Sequence, residues 1–212
     1  GLAMIHIEIL SIGPIATNCY IVRGDHGRAF VIDPGCQCQP VIDAVRDLEV
    51  TDILITHAHW DHIGGVAALK EATGARLWAP ALEAAWLSDP ELNLSHALPF
   101  WPQPVIAPRA DRLLSGGERL ELLGEIIEVR STPGHSPGHL SYVMGDVVFG
   151  GDALFAGSIG RTDLPGGDFE TLLRSIREQL FSLPDETTVL PGHGPATTVG
   201  RERATNPFLI PH

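Results

Sequence analysis

Residues 56–62 carry four side chains that can bind metal ions, within six residues of one another: His57, His59, Asp61 and His62. Residues two apart in an extended segment point to the same side, so His57 and His59 can bind one ion together. Asp61 and His62 lie where the chain bends into the next helix, and can face a second ion. This spacing predicts metal ligands rather than a polar loop that is rich in histidine by chance.

Three later residues share a local pattern, in which an apolar strand ends in a Gly or Pro turn before a polar residue: His135, Asp152 and His193. Two metal ions about 3.5–4 Å apart can share a carboxylate, and Asp152 is the candidate for that bridge. This leaves His135 for the first ion and His193 for the second. Imidazole and carboxylate ligands without thiolate favour two zinc ions per chain, and also accommodate iron or manganese.

The predicted chemistry is hydrolysis. Water between two metal ions has its pKa lowered toward neutrality, and the resulting hydroxide can attack a carbonyl that the ions polarise. We expect Asp61, His62 and Asp152 to carry the reaction, because they place the second ion and the bridge. Asp33 and Asp52 are candidates to orient ligating histidines through hydrogen bonds, although Asp33 can also be only a turn residue.

Short strands and helices must position these side chains. Alternating and uniformly apolar runs predict strands at residues 4–10, 18–23, 29–33, 53–56, 76–79, 119–123, 126–131, 140–144, 147–150 and 187–190. Helical spacing predicts helices at residues 41–52, 66–73, 81–87 and 169–181. The elements come in two similar groups, and an α/β fold with two packed sheets and helices outside is the simplest layered solution.

A long irregular stretch at residues 88–115 is unusual in a compact domain and is often functional. Its Phe100 and Trp101 either cap an apolar pocket or pin the loop to the surface. We interpret the remaining histidines as structural: His6, His26, His96, His139 and His212.

The composition limits the class of protein. The 212 residues fit one domain at 4–212, with residues 1–3 as a cloning remnant. The formal charge of 14 − 26 = −12 argues against nucleic-acid binding. Neither a membrane span nor a signal peptide is expected. Three cysteines do not form a disulfide framework, which indicates a cytoplasmic protein. Cys36 and Cys38 are either a metal clip, a redox pair or, as we favour, ordinary thiols.

These residues resemble the metallo-β-lactamase superfamily, whose hallmark is HxHxDH followed by separate His, Asp and His ligands. The resemblance implies a four-layer αββα sandwich. It also implies the same division of ligands as the spacing: one site of His57, His59 and His135, another of Asp61, His62 and His193, and Asp152 between them.

Within that superfamily, residues 132–138, 151–155 and 160–167 are similar to glyoxalase II, most of all to its short bacterial type. The resemblance implies a hydroxyacylglutathione hydrolase that acts on small thioesters such as S-lactoylglutathione. Arg161 stands where relatives place a cation that meets the glutathione carboxylate; its alternative reading is a surface or structural arginine. Longer glyoxalase II enzymes have a C-terminal helical domain and an aromatic residue where Thr162-Asp163 stand here, so we expect loose thioester specificity.

Other members of the superfamily are alternatives. A persulfide dioxygenase shares the Gly-Arg-Thr-Asp segment but uses one iron and oxygen, and a lactonase keeps the bridging aspartate. A β-lactamase is disfavoured by Asp152, and a nuclease by the net charge. A regulatory or scaffold member without activity predicts eroded ligands, whereas all seven are present.

Overall fold

The structure is a computed structural model that describes residues 4–101 and 103–210. The proposed cloning remnant at residues 1–3 and His212 lie outside the described residues. The chain divides into two compact units. The first comprises the chain up to Leu114 with Glu121–Glu125, and the second comprises Ser115–Leu120 with the chain from Ile126 onward. The single domain at 4–212 stays a prediction.

The first unit contains a six-stranded sheet. Its strands are β1 (His6–Ile12), β2 (Thr17–Arg23), β3 (Arg28–Ile32), β4 (Glu49–Leu54), β5 (Arg76–Pro80) and β6 (Arg112–Leu114), in that spatial order. The pairs β1–β2 and β2–β3 are antiparallel, and the pairs from β3 to β6 are parallel. Its helices are α1 (Gln39–Ala44), α2 (Trp60–Ile63) and α3 (Val66–Thr73), with 3₁₀ helices at Asp25–Gly27 and Ala81–Ser88.

The carboxyl edge of the parallel strands carries the candidate metal ligands of the first unit. The core of the sheet contains Ile21, Val31, Ile53 and Leu77, which are fully buried on the successive strands β2 to β5. Because parallel strands have their carboxyl ends at one edge, the segments that follow β3 and β4 lie side by side. Asp33 follows β3. Residues 56–62, the histidine segment, follow β4.

The strands of the second sheet are β7 (Arg119–Leu122), β8 (Glu125–Ser131), β9 (Leu140–Met144), β10 (Val147–Gly151), β13 (Thr188–Pro191) and β14 (Thr197–Thr198). Their spatial order is β14-β13-β10-β9-β8-β7. A separate hairpin is formed by β11 (Leu154–Phe155) and β12 (Ser158–Ile159), and the helices are α4 (Phe169–Ser175) and α5 (Val199–Thr205).

Three strands of the second sheet end at one edge. β8 and β10 are both antiparallel to β9 and therefore run in the same direction, and β13 is parallel to β10. His135, Asp152 and His193 follow these three strands. The pattern of strand, turn and polar residue thus reflects a shared edge of the sheet.

The helix predicted at residues 169–181 is present as α4, which continues as a π-helical turn at Ile176–Leu180. Leu172, Ile176 and Leu180 form its buried stripe. Among the described residues, no helix is long and apolar enough to cross a membrane.

The helix predicted at residues 41–52 is wrong in its second half. α1 ends at Ala44, and Glu49 already belongs to β4, where it pairs with Arg28. The pairing with β3 therefore outweighs the helical spacing of Val45 and Leu48.

Helix α5 was not predicted, although its start carries a signal. The Thr198 side chain accepts a hydrogen bond from the Arg201 N–H, as N-caps do. Gly200 in the first turn weakens the helical pattern. The structure explains this glycine, because a Cβ at position 200 would lie 2.8 Å from the Asp185 Cβ.

Candidate metal-binding residues

The four candidates of the first unit form one buried cluster. His57 and His59 precede α2, and Asp61 and His62 lie within it; their exposure is between 0% and 6%. The ring of His57 lies 4.8 Å from that of His59 and 4.2 Å from that of His62, measured between centroids. His62 Nε2 lies 3.3 Å from Asp61 Oδ2. Nitrogen and oxygen atoms that can bind a cation are therefore concentrated at the carboxyl end of β4.

Asp33 orients His62. Its Oδ2 lies 2.8 Å from His62 Nδ1, and its Oδ1 accepts a hydrogen bond from the Thr56 N–H at 2.8 Å. A carboxylate only accepts, so the proton of the His62 ring lies on Nδ1. The lone pair on Nε2 is then the one that can bind a metal.

Thr56 transmits the same constraint to His57. Its hydroxyl donates to Asp33 Oδ2 at 2.7 Å, so its oxygen accepts from His57 Nδ1–H at 3.0 Å. The Asp33 carboxylate thus assigns the tautomer of two histidines, one directly and one through a threonine hydroxyl. The sequence analysis missed Thr56, because a threonine at a strand end has no signal of its own.

The candidates of the second unit converge on one oxygen atom. His135 Nε2 and His193 Nε2 lie 3.4 Å and 3.5 Å from Asp152 Oδ2. His135 Nδ1 donates to the Arg161 carbonyl oxygen at 2.8 Å, which directs Nε2 toward the carboxylate. Asp152 is 5% exposed, so its charge is held largely out of water.

The chemistry of these donors fits metal ions. Each unit presents buried imidazole nitrogens with fixed tautomers beside a buried carboxylate. A buried carboxylate is costly unless it is paired or coordinates a metal. Imidazole and carboxylate donors suit zinc, iron and manganese alike.

Comparison with known proteins identifies the family. The model of the metallo-beta-lactamase superfamily matches residues 12–193, a range that includes all seven candidate ligands. The chain is 37% identical to the hydroxyacylglutathione hydrolase GloC of Haemophilus influenzae, over 96% of this chain and 98% of that protein.

Two solved structures are similar over nearly the whole chain. BLEG-1, described as a B3 metallo-beta-lactamase, is 41% identical with a TM-score of 0.93, and the match covers 97% of this chain and all of that one. TTHA1623 in a di-iron-bound form is 40% identical with a TM-score of 0.79, and the match covers 95% of this chain and 100% of that one.

The chain belongs to the metallo-β-lactamase superfamily.

The fold class predicted from the sequence is therefore confirmed: it is the α/β metallo-β-lactamase fold, with two sheets and helices. Membership also indicates a metal-dependent hydrolase. The histidine and aspartate donors of this chain are of the kind that can hold the metal ions of such an enzyme.

The ring of His139 holds the backbone of the candidate ligand Asp152 in place. Its Nε2 accepts the Asp152 N–H at 3.0 Å, so its Nδ1–H donates to the Thr132 hydroxyl at 2.9 Å. The sequence analysis interpreted His139 as structural, and the structure gives it that role, with a specific task in placing the backbone of Asp152.

Asp52 requires a correction. It was expected to orient a ligating histidine, but its Oδ1 accepts hydrogen bonds from Trp78 Nε1 at 2.7 Å and Arg76 Nε at 3.1 Å. Asp52 lies inside β4 rather than at its carboxyl end, so its side chain serves the sheet. Asp33, which follows β3, does make the expected contact with a candidate ligand, His62.

Arg161 has two separate attachments. Its carbonyl oxygen accepts from His135, whereas its exposed guanidinium binds Asp163 through Nε and Nη2 at 2.7 Å and 2.9 Å. This hydrogen bonding lowers the pKa of the Asp163 carboxyl from its usual value. Gly160 permits the carbonyl placement, because a Cβ there would lie 1.7 Å from the Asp152 carbonyl oxygen.

The three cysteines are free and buried. Burial raises the pKa of the Cys36 and Cys38 thiols to about 12, and raises that of Cys19 well above its ordinary value. Redox exchange needs a thiolate, which these groups do not supply at neutral pH. Of the interpretations of Cys36 and Cys38, the raised pKa values therefore favour ordinary thiols over a redox pair.

Asp33→Asn is expected to lower metal affinity about 10- to 100-fold, because an amide no longer fixes the tautomers of His57 and His62. Asparagine tolerates the left-handed backbone of position 33, where φ is 55°. Affinity is measured by competition with a chromophoric chelator. Asp52→Asn is the matched control and should leave the affinity unchanged; equal losses in both variants would contradict the assigned role of Asp33.

The raised thiol pKa values predict slow chemistry. At pH 8 the buried thiols stay protonated, so a thiol reagent should react slowly with the folded protein. After unfolding, the same reagent should react rapidly with all three cysteines. The absorbance of the released chromophore gives both rates. One thiol that reacts rapidly in the folded protein would restore the redox interpretation.

Proposed function

We propose that the chain hydrolyses glutathione thioesters such as S-lactoylglutathione. The observation that carries this proposal is the 37% identity to the GloC hydroxyacylglutathione hydrolase over 96% of this chain and 98% of that relative. The relative and this chain correspond end to end. The proposal therefore does not require the C-terminal helical domain of the longer glyoxalase II enzymes.

For the metal centre we propose two ions, most simply zinc. His57, His59 and His135 would hold one ion, and Asp61, His62 and His193 would hold the other, with Asp152 shared between them. Bound ions of this kind would acidify a water molecule and polarise the thioester carbonyl. In the first unit, the rings of His57 and His59 lie 4.8 Å apart and His62 Nε2 lies 3.3 Å from Asp61 Oδ2, so the members of each pair are near enough to bind one ion together.

Hydrogen bonds within the protein fix the tautomers of two of the proposed ligands. Asp33 and the Arg161 carbonyl keep the Nδ1 protons of His62 and His135 in place, so that Nε2 stays available as a donor. Asp152 Oδ2 lies 3.4 Å from His135 Nε2 and 3.5 Å from His193 Nε2, so this carboxylate is near one proposed ligand of each ion. Asp61, His62 and Asp152 are the residues to which we assign the reaction.

On the substrate side we propose that Arg161 binds a carboxylate of glutathione. Its side chain is 62% exposed and therefore accessible to a ligand. A planar guanidinium binds carboxylates in a bidentate manner, which is the geometry it adopts with Asp163. A glutathione carboxylate would replace Asp163. Glutathione and the three free cysteines both favour a cytoplasmic location.

One other activity and one other metal have support from similar structures. BLEG-1 is described as a B3 metallo-beta-lactamase and is 41% identical to this chain, which favours β-lactam hydrolysis as a second candidate. The di-iron form of TTHA1623 favours tests with iron as well as zinc. The persulfide dioxygenase suggested by the Gly-Arg-Thr-Asp segment would need one iron, and a lactonase would keep all seven ligands.

A parallel assay of one preparation separates these activities. Hydrolysis of S-lactoylglutathione, hydrolysis of a β-lactam and of a lactone, and oxygen uptake with glutathione persulfide are measured together with elemental analysis. We expect thioester hydrolysis, about two metal ions per chain, and loss of activity on chelation. One iron, no zinc and oxygen uptake would replace the proposed hydrolase by a dioxygenase.

Arg161→Ala is expected to raise KM for S-lactoylglutathione more than it lowers kcat, because it removes binding that is equal in the ground and transition states. Asp163→Asn is the companion variant, since it releases the guanidinium and should leave KM unchanged or lower it. Steady-state kinetics measure both. An unchanged KM in Arg161→Ala would remove this side chain from the substrate site.

A further inference from the structure

The segment that follows β5 contacts the histidine segment at three consecutive residues. This segment comprises the 3₁₀ helix at Ala81–Ser88 and the first turns of the irregular stretch at 88–115. Its contacts are made to Ala58, His59 and Trp60, all within the first unit. No sequence pattern connects the two segments, and the contacts are visible only in the structure.

The first contact is made by Glu83. This side chain is fully buried, and its Oε1 accepts the Ala58 N–H at 2.7 Å. Ala58 lies between His57 and His59, where the chain has left β4 and its sheet partners. Glu83 therefore fixes the peptide that joins the two histidines.

The second contact is made by Trp86, one helical turn farther on. Its ring stacks on the imidazole of His59, with centroids 5.6 Å apart and planes inclined by 30°. Stacking of this kind restricts rotation of the imidazole about its χ2 bond. The ring plane of His59 is thus set by a tryptophan of another element.

The third contact is made by Asn93. Its carbonyl oxygen accepts the Trp60 N–H at 2.9 Å, and this N–H lies in the first turn of α2, where it has no partner within the helix. The buried Asn93 side chain donates to the carbonyl oxygens of Trp86 and Val105, both at 2.9 Å. Asn93 therefore links the backbone of Trp86 to that of Trp60.

We propose that Glu83, Trp86 and Asn93 are positioning residues that hold His57 and His59 in the geometry of a metal site, and that Glu83 is the most important of them. This inference rests on the proposed metal centre and extends it to the irregular stretch. That stretch then serves the ligands rather than covering a pocket. Trp101 is consistent with an anchoring role, because it packs partly buried against the core of the first unit.

The test is a Zn²⁺ titration of the metal-free full-length protein in competition with a chromophoric chelator. Glu83→Ala should weaken the binding of one ion about 10- to 100-fold, as removal of an outer-shell partner does. Glu83→Gln, which retains an acceptor oxygen, should recover part of this loss. His59→Ala and Asp61→Ala serve as references, and the weakened ion should be the one lost in His59→Ala.

Glu202 provides a matched control. It is also buried and accepts a backbone N–H, that of Gly157, at 2.8 Å. Glu202→Ala should lower the melting temperature as Glu83→Ala does, and should leave both zinc affinities unchanged. Equal zinc affinities in wild type, Glu83→Ala and Glu83→Gln would overturn the inference.

If Glu83→Ala does not fold, Trp86→Leu takes its place, with Trp86→Phe as the variant that retains a stacking ring. Trp86→Leu should weaken the same ion, and an unchanged affinity would again overturn the inference. Failure of the dinuclear proposal is recognised separately, because the wild-type protein would then bind fewer than two ions. A single ion that Glu83→Ala weakens would still support the positioning role.

Discussion

The hydrogen bonds of the Asp33 carboxylate are the constraint on which the candidate site of the first unit depends. One side chain accepts from the Thr56 N–H, the Thr56 hydroxyl and the ring of His62. It thereby fixes two tautomers and joins the end of β3 to the end of β4. The arrangement is available only because these strands are parallel neighbours, so that Asp33 and the histidine segment leave the sheet at the same edge.

In the second unit, the candidate ligands are oriented by groups other than a carboxylate. The proton of His135 is held by a main-chain carbonyl, that of Arg161, and the backbone of Asp152 is held by the ring of His139. A main-chain acceptor and a neutral imidazole replace the carboxylate of the first unit. Candidate ligands in both units are therefore held by hydrogen bonds to neighbouring groups of the same unit.

Local patterns in the sequence predict the candidate ligands but only some of the residues that orient them. The candidate ligands are recognised by residue type and spacing and the strands before them by apolar runs, so the fold class could be predicted. Asp33 and Asp52 were both expected to orient ligating histidines. Asp33 follows β3 and does contact His62, whereas Asp52, which was expected to end a helix, lies within β4, where the register directs its side chain toward Arg76 and Trp78. Glu83 and Thr56 act through contacts between distant or unremarkable positions, which no local pattern encodes. Helix α5 was missed because Gly200 serves packing against Asp185 rather than helix formation.

In the Gly-Arg-Thr-Asp segment, the backbone requires some features but does not require the arginine side chain. Gly160 is required by the backbone of Asp152, and position 161 must supply a carbonyl oxygen to His135. This backbone arrangement requires a glycine at position 160 whatever the reaction, so Gly160 does not identify a substrate. A carbonyl oxygen is supplied by every residue type, so the contact with His135 gives no reason for an arginine at position 161. The guanidinium of Arg161, exposed and held by Asp163, is therefore the part of the segment where substrate selection can enter.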